Sequence, residues 1–132
     1  MEHATEIRKK LFRVLIIEDE GDICYLLKSV LMNRNLEIEH VNTIAQASVF
    51  LKEEQPDLIF LDNYLPDGLG VNYIENIKAD YPSTKIIMIT AHDTASDKKR
   101  ALGKGADIFL SKPFTKEQIY RSIDLLLNTS AR

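Results

Sequence analysis

Three acidic residues stand directly after apolar runs, at places where a parallel sheet would bring their carboxylates together. Glu18 and Asp19 follow the run VLII, and Asp62 follows the run LIFL. Two like charges about 4 Å apart repel by roughly 4 kcal/mol at an effective dielectric near 20, so a bound cation or a raised pKa must relieve the repulsion. Oxygen ligands favour Mg²⁺, with Mn²⁺ as a substitute, beside phosphate oxygens. Singly, each acid could equally cap a loop or a helix start.

Two further polar residues stand at strand ends. Thr90 follows the run IIMI, and Lys112 lies just beyond the short segment IFL. An ammonium can pair with a carboxylate or a phosphoryl oxygen, and a hydroxyl can donate one hydrogen bond to the same group. Together with the acids they form an electrostatic set suited to phosphoryl chemistry, although either residue alone is common in turns and on surfaces.

The elements that must position these residues follow from hydrophobic periodicity. Apolar runs of strand length alternate with helix-period segments five times, which predicts an α/β fold with a doubly wound parallel sheet. Thr43 with Gln46 and Thr115 with Gln118 have capping-box spacing and predict two helix starts. The predicted strands are Val14 to Ile17, Leu36 to Val41, Leu58 to Leu61, Ile86 to Ile89 and Ile108 to Leu110.

The strands differ in hydrophobic pattern, and this difference indicates their order in the sheet. VLII, LIFL and IIMI are continuous apolar runs, typical of strands buried on both faces, whereas LEIEHV alternates and the fifth strand is short with polar ends. The alternating second strand and the fifth therefore belong at the edges, which favours the order 2-1-3-4-5. A Rossmann-type order would bury Glu37 and Glu39 in the centre. In the favoured order a crevice opens at the carboxyl ends of strands one and three, where ligands of such sheets bind.

Composition bounds the class of protein. The chain has 132 residues, 45% of them hydrophobic and 28% charged, with a net charge of -3. This suits one domain and argues against a nucleic-acid surface or a membrane span. The first residues, MEHATEIRKKLF, lack the apolar core of a secretory signal, so we expect a cytoplasmic protein. The lone Cys24, among apolar helix positions, is expected to be a buried thiol.

With these residues in this order, the chain resembles the receiver domains of bacterial two-component response regulators, which have the flavodoxin-like (βα)5 fold. The resemblance covers residues 13–128, leaving a lead-in at 1–12 and a tail at 129–132. An acidic pair, a strand-end aspartate followed by Leu-Pro-Asp-Gly, a Thr-Ala and a Lys-Pro-Phe, in this order, are a specific combination. The motifs are VLIIEDE at 14–20, PDLIFLDNYLPDGLG at 56–70, IIMITAHD at 86–93 and GADIFLSKPF at 105–114.

The resemblance implies that Asp62 is the phosphoacceptor. It also implies that Glu18, Asp19, Asp62 and the backbone carbonyl of Tyr64 bind the metal. Aspartate is more usual in the position of Glu18, and the extra methylene favours a contact to the metal through water. Pro66, Gly68 and Gly70 would shape the loop behind Asp62, for which ordinary loop roles suffice.

The resemblance further implies that Thr90 and Lys112 contact the phosphoryl group and that Thr90 and Phe109 form the switch. A tyrosine is frequent at the position of Phe109, so a switch here would work through packing; Phe109 could also be simple core. Tyr64 and His92, two residues beyond Asp62 and Thr90, are expected to tune the phosphorylated lifetime by hindering water.

The implied role is a switch that takes its phosphoryl group from a histidine kinase or a histidine phosphotransfer protein. It would act on a protein target through the face made by the fourth helix, fifth strand and fifth helix, about residues 96–127, and a phosphorylation-linked homodimer stays open. Two alternatives remain. The first is a magnesium-dependent phosphatase with an aspartyl-phosphate intermediate, against which Tyr64 stands where such enzymes commonly carry a second aspartate. The second is a scaffold that is never phosphorylated. On the leading interpretation the chain is no enzyme beyond its own phosphorylation and dephosphorylation.

Overall fold

The strands lie close to where hydrophobic patterning predicts them. The structure is a computed structural model that describes residues 11–91 and 94–127. A small hairpin, absent from the sequence-based prediction, follows the third strand. In chain order the strands are β1 (Phe12–Ile17), β2 (Leu36–Val41), β3 (Leu58–Asp62), β4 (Tyr64–Leu65), β5 (Gly68–Leu69), β6 (Lys85–Thr90) and β7 (Ile108–Ser111).

Two of the helices begin at the caps predicted from the sequence, Thr43 and Thr115. The Thr43 hydroxyl accepts a hydrogen bond from the backbone N–H of Gln46 at 3.0 Å. Thr115 and Gln118 each accept from the backbone N–H of the other, at 3.0 and 2.8 Å, which is a complete capping box. A 3-10 turn, Gly70–Tyr73, precedes the third helix. The helices are α1 (Gly21–Leu31), α2 (Ile44–Glu53), α3 (Ile74–Asp80), α4 (Ala95–Gly103) and α5 (Lys116–Leu127).

The main sheet has the strand order β2-β1-β3-β6-β7, with every neighbouring pair parallel. This is the predicted order 2-1-3-4-5 with the hairpin strands β4 and β5 left out of the sheet. The central strands are buried, whereas Glu37 and Glu39 of the edge strand β2 are exposed. The order is thus confirmed, and its cause is that only edge strands can keep charged side chains in water.

Alternation along the central strands divides the core into two layers. Val14 and Ile16 of β1 pack on one side with residues of α1 and α5. Leu15 and Ile17 pack on the other side with residues of α2, α3 and α4. Both layers bury their aliphatic side chains almost fully, each worth roughly 1.5–3 kcal/mol against exposure. The sheet is therefore a rigid platform for the residues at its carboxyl edge. Among the described residues, no helix has the length and apolar character needed to cross a bilayer.

Candidate functional site

The carboxyl edge of the sheet brings together side chains from three strand ends. Glu18 follows β1, Asp62 is the last residue of β3, and Lys112 follows β7. Backbone hydrogen bonds continue past the strands and fix this edge, since the Glu18 N–H donates to the Val41 carbonyl at 3.1 Å and the Lys112 N–H donates to the Thr90 carbonyl at 2.8 Å. Strand order, rather than sequence proximity, creates the site.

Asp62 is a buried carboxyl group in an unfavourable electrostatic environment. Its residue is only 3% exposed. Burial raises the pKa of Asp62 well above its usual range, the carboxylate of Glu18 raises it further, and the ammonium of Lys112 partly offsets both. Positive charge placed beside Asp62 would therefore favour its ionised form, which is the form that can act as a nucleophile or as a metal ligand.

Glu18 has one satisfied and one unsatisfied carboxylate oxygen. Its Oε2 accepts a hydrogen bond from the backbone N–H of Glu20 at 3.0 Å. Its Oε1 is fully buried and accepts no hydrogen bond from any described residue, although the Nζ of Lys112 lies 2.9 Å away as an ion pair. A buried anionic oxygen without a hydrogen bond is costly, so this atom is suited to a cation.

Lys112 lies among three carboxylates. Its Nζ is 2.7 Å from Oε1 of Glu20, 2.9 Å from Oε1 of Glu18 and 3.4 Å from Oδ1 of Asp62. Burial alone would lower the pKa of Lys112, but the hydrogen bond to Glu20 and the close contact with the Glu18 carboxylate raise it, so the ammonium stays charged. We call Glu18, Glu20, Asp62 and Lys112 the acidic crevice.

The three acids of the acidic crevice differ in one member from the three acids predicted to bind the metal, with Glu20 in the place of Asp19. Glu18, Glu20 and Asp62 each offer a carboxylate oxygen within 4.8 Å of the others, which is a cluster able to hold a metal ion. Asp19 is exposed and is outside this cluster, so its role stays a prediction. Sequence reasoning missed Glu20, because its place beside Glu18 depends on the backbone conformation after β1. Residues two apart in an extended segment point to the same side, and Glu20 has extended φ and ψ angles.

The predicted switch residues lie beside a small cavity. Thr90 is the buried last residue of β6, and Phe109 of β7 packs partly buried on the layer formed with α2, α3 and α4. A cavity of about 20 Å³ lies between them and Arg100 of α4, large enough for one water molecule. Tyr64 is 47% exposed in β4, at the mouth of the loop behind Asp62. His92, the other predicted tuning residue, lies outside the described residues.

The loop behind Asp62 is tied down by contacts that sequence reasoning did not find. Asn63 accepts two hydrogen bonds, from the N–H of Gly70 to its carbonyl at 2.7 Å and from the N–H of Val71 to its Oδ1 at 2.9 Å. Both oxygens of the Asp67 carboxylate accept from backbone amides at the start of α2, at 2.9 Å each. These bonds fix the conformation of the residues that follow Asp62.

Behind Glu18 lies a thiol and imidazole pair. Nε2 of His40 is 2.8 Å from the Glu18 carbonyl oxygen and 2.9 Å from Sγ of Cys24. Burial raises the pKa of the Cys24 thiol to about 11, and the Glu18 carboxylate acts in the same direction. The thiol is therefore protonated and inert, in agreement with its predicted structural role.

The chain is similar to known proteins in both sequence and fold. The family model described as response regulator receiver domain matches residues 14–124. The chain belongs to the response regulator receiver family. The beryllofluoride-activated NtrC4 receiver domain dimer superposes with a TM-score of 0.84 at 34% identity, covering 88% of this chain and 96% of that chain.

Curated relatives are longer than this receiver domain. The KDP operon transcriptional regulatory protein KdpE of Escherichia coli (strain K12) is 37% identical over 101 residues, covering 76% of this chain and 44% of KdpE. The regulatory protein LuxO of Vibrio vulnificus (strain YJ016) is 31% identical over 117 residues, covering 89% of this chain and 26% of LuxO. The chain thus spans less than half the length of these relatives. Membership of this family supports the predicted role, a phosphorylation-activated signalling switch of a two-component system.

Proposed function

We propose that Asp62 is the phosphoacceptor of this receiver domain. The observation that carries the proposal is the position of its buried carboxylate at the carboxyl end of β3, with the Lys112 ammonium 3.4 Å away and the Glu18 carboxylate beside it. Asp62 and Lys112 come from different strand ends, so their proximity is a product of the whole fold. A surface aspartate with a chance lysine contact would not be this deeply buried.

The proposed reaction is one transfer and its reversal. An ionised oxygen of Asp62 forms a bond to phosphorus while the bond from phosphorus to the donor's leaving atom breaks, and the electron pair leaves with the donor. The donor is a phosphohistidine of a histidine kinase or a histidine phosphotransfer protein. Lys112 neutralises charge on the phosphoryl oxygens, and the Thr90 hydroxyl donates a hydrogen bond to one of them. Hydrolysis by water returns the Asp62 carboxylate and releases phosphate.

The acidic crevice fits a divalent cation. The buried Oε1 of Glu18, which has the Lys112 ammonium beside it but no hydrogen bond, and the raised pKa of Asp62 both indicate a place that further positive charge would stabilise. Glu18, Asp62, Asp19 and the backbone carbonyl of Tyr64 are the proposed ligands, direct or through water. When bound, Mg²⁺ or Mn²⁺ would offset negative charge on the carboxylates and on the incoming phosphoryl group.

The proposed switch acts through side-chain packing against α4. The cavity between Thr90 and Phe109 holds only about one water molecule and is also lined by Arg100 of α4, so a change in the packing of Phe109 would be felt at α4. A Thr90 hydroxyl drawn to the phosphoryl group would vacate space on this side. The state of Asp62 is then transmitted to the face formed by α4, β7 and α5, which we propose contacts the downstream protein target and, on phosphorylation, a second copy of the chain.

Intact mass spectrometry after incubation with acetyl phosphate and Mg²⁺ tests the proposal. We expect one added phosphoryl mass on the wild type and on Asp22→Asn, an exposed control on α1, and none on Asp62→Asn. The added mass should disappear with time once the donor is removed. No adduct on the wild type would support the scaffold alternative, and sustained release of phosphate from many phosphate esters would support the phosphatase. Size-exclusion chromatography with and without beryllofluoride tests the homodimer.

A further inference from the structure

Among the carboxylates of the acidic crevice, that of Glu20 lies closest to the Lys112 ammonium. Glu20 is also the exposed member of the acidic crevice. Its side chain is 61% exposed, whereas that of Glu18 is fully buried and that of Lys112 is 10% exposed. The Lys112 ammonium is 2.7 Å from Glu20 and 3.4 Å from Asp62. The ammonium is therefore shared between the inside of the crevice and its rim.

The position of the ammonium conflicts with metal binding. Lys112 lies 2.9 Å from the unsatisfied Oε1 of Glu18 and also contacts Asp62, so it occupies space close to where these two carboxylates would hold a divalent cation. Two cations cannot share that space without strong repulsion. When a metal enters, the ammonium must withdraw from Glu18 and Asp62, and it needs another partner because it is largely buried.

The geometry points to Glu20 as that partner. We propose that Glu20 is a positioning residue that retains the Lys112 ammonium at the rim when a divalent cation binds Glu18 and Asp62, and so tightens metal binding. Glu20 lies close enough to hold the ammonium before the metal arrives, and its exposure leaves it free to follow. This inference rests on the metal site of the proposed function but not on phosphorylation itself.

A double-mutant cycle on metal affinity tests the inference. Mn²⁺ binding is measured by titration calorimetry for the wild type, Glu20→Gln, Lys112→Met and the double variant. We expect Glu20→Gln to weaken Mn²⁺ binding roughly three- to tenfold when Lys112 is present, the weight of one partly exposed charge-assisted hydrogen bond. In the Lys112→Met background the same change should matter less than twofold. Equal weakening in both backgrounds would make Glu20 a direct ligand, and no weakening in either would remove its role; both results overturn the inference.

Two controls distinguish this mechanism from a general effect of removing negative charge and from an effect on folding. Asp22→Asn removes one exposed negative charge nearby, and we expect its Mn²⁺ affinity to stay within twofold of the wild type. In metal-free buffer, the ¹⁵N resonance of the Lys112 Nζ should shift in Glu20→Gln but not in Asp22→Asn, which an effect on folding alone would not produce. Phosphorylation of the wild type by acetyl phosphate is scored separately. If it fails while the cycle behaves as expected, only the proposed function is wrong.

Discussion

Gly70 lies where the fold has no room for a side chain. A Cβ added to it would lie 2.2 Å from the carbonyl oxygen of Asp62 and 3.1 Å from Cγ of Leu61. Real Cβ atoms keep at least 3.0 Å from such atoms, so Gly70→Ala must displace the Asp62 backbone or the loop by about 1 Å. Either movement changes the position of the loop relative to the backbone of the proposed phosphoacceptor, and the substitution therefore tests positioning.

This displacement sets the expected losses of stability and of phosphorylation rate. Overpacking of a buried position costs about 1–3 kcal/mol of unfolding free energy. For a domain of this size each kcal/mol lowers Tm by about 4 °C, so we expect a decrease of about 4–12 °C. A misplacement of about 1 Å at a reacting group costs on the order of 100-fold in rate. Phosphorylation by acetyl phosphate should thus slow about 100-fold in a protein that is still folded.

Gly103→Ala is the matched control, because an added Cβ there meets nothing within 4 Å. Thermal unfolding by circular dichroism and the rate of phosphoryl mass gain are measured for both variants below their Tm. Gly103→Ala should behave as the wild type. If Gly70→Ala keeps both the wild-type Tm and a phosphorylation rate within threefold of the wild type, the argument from this close approach is wrong.

Three further experiments probe other contacts. Tyr64→Ala should shorten the phosphorylated lifetime severalfold by admitting water, as followed by loss of phosphoryl mass; an unchanged decay would contradict the tuning role. Asp67→Ala should lower Tm, because the backbone amides at the start of α2 lower the pKa of Asp67 and bind its ionised form. That difference in Tm should be full above the ordinary carboxyl pKa and vanish as pH falls through the lowered one; a difference independent of pH would refute it. Arg34 pairs with Asp124 at 2.9 and 3.3 Å, and a double-mutant cycle of Arg34→Met with Asp124→Asn, measured by urea unfolding, should give a coupling of about 1 kcal/mol; a coupling near zero would mean that solvent screens the pair.

Patterning along the chain predicted the sheet because burial is a local property of each strand. The polar alternation of β2 and the uninterrupted apolar runs of β1, β3 and β6 favoured the order that the structure has. The same reasoning could not find the hairpin of β4 and β5. Its strands have two residues each, too short to show any period.

The site was predictable only in part. Glu18, Asp62 and Lys112 end strands or directly follow them, so the predicted order of the sheet placed them at one edge, where the structure brings them together. Glu20 belongs to the acidic crevice because the chain stays extended after β1, and the sequence alone does not fix that conformation. His40, which contacts the Glu18 carbonyl and Cys24, is placed by the pairing of β2 with β1.

By itself the sequence indicated the fold class, favoured the strand order and predicted the position of the proposed acceptor carboxylate, because these depend on which residues avoid water and on where strands end. The tertiary structure decided which acid holds Lys112, why Gly70 admits no side chain and how Asp67 fixes the loop. These depend on distances between atoms far apart in the chain, for which hydrophobic periodicity carries no signal. The sequence thus predicts where the proposed phosphoacceptor lies, and packing around it determines the charges that surround it.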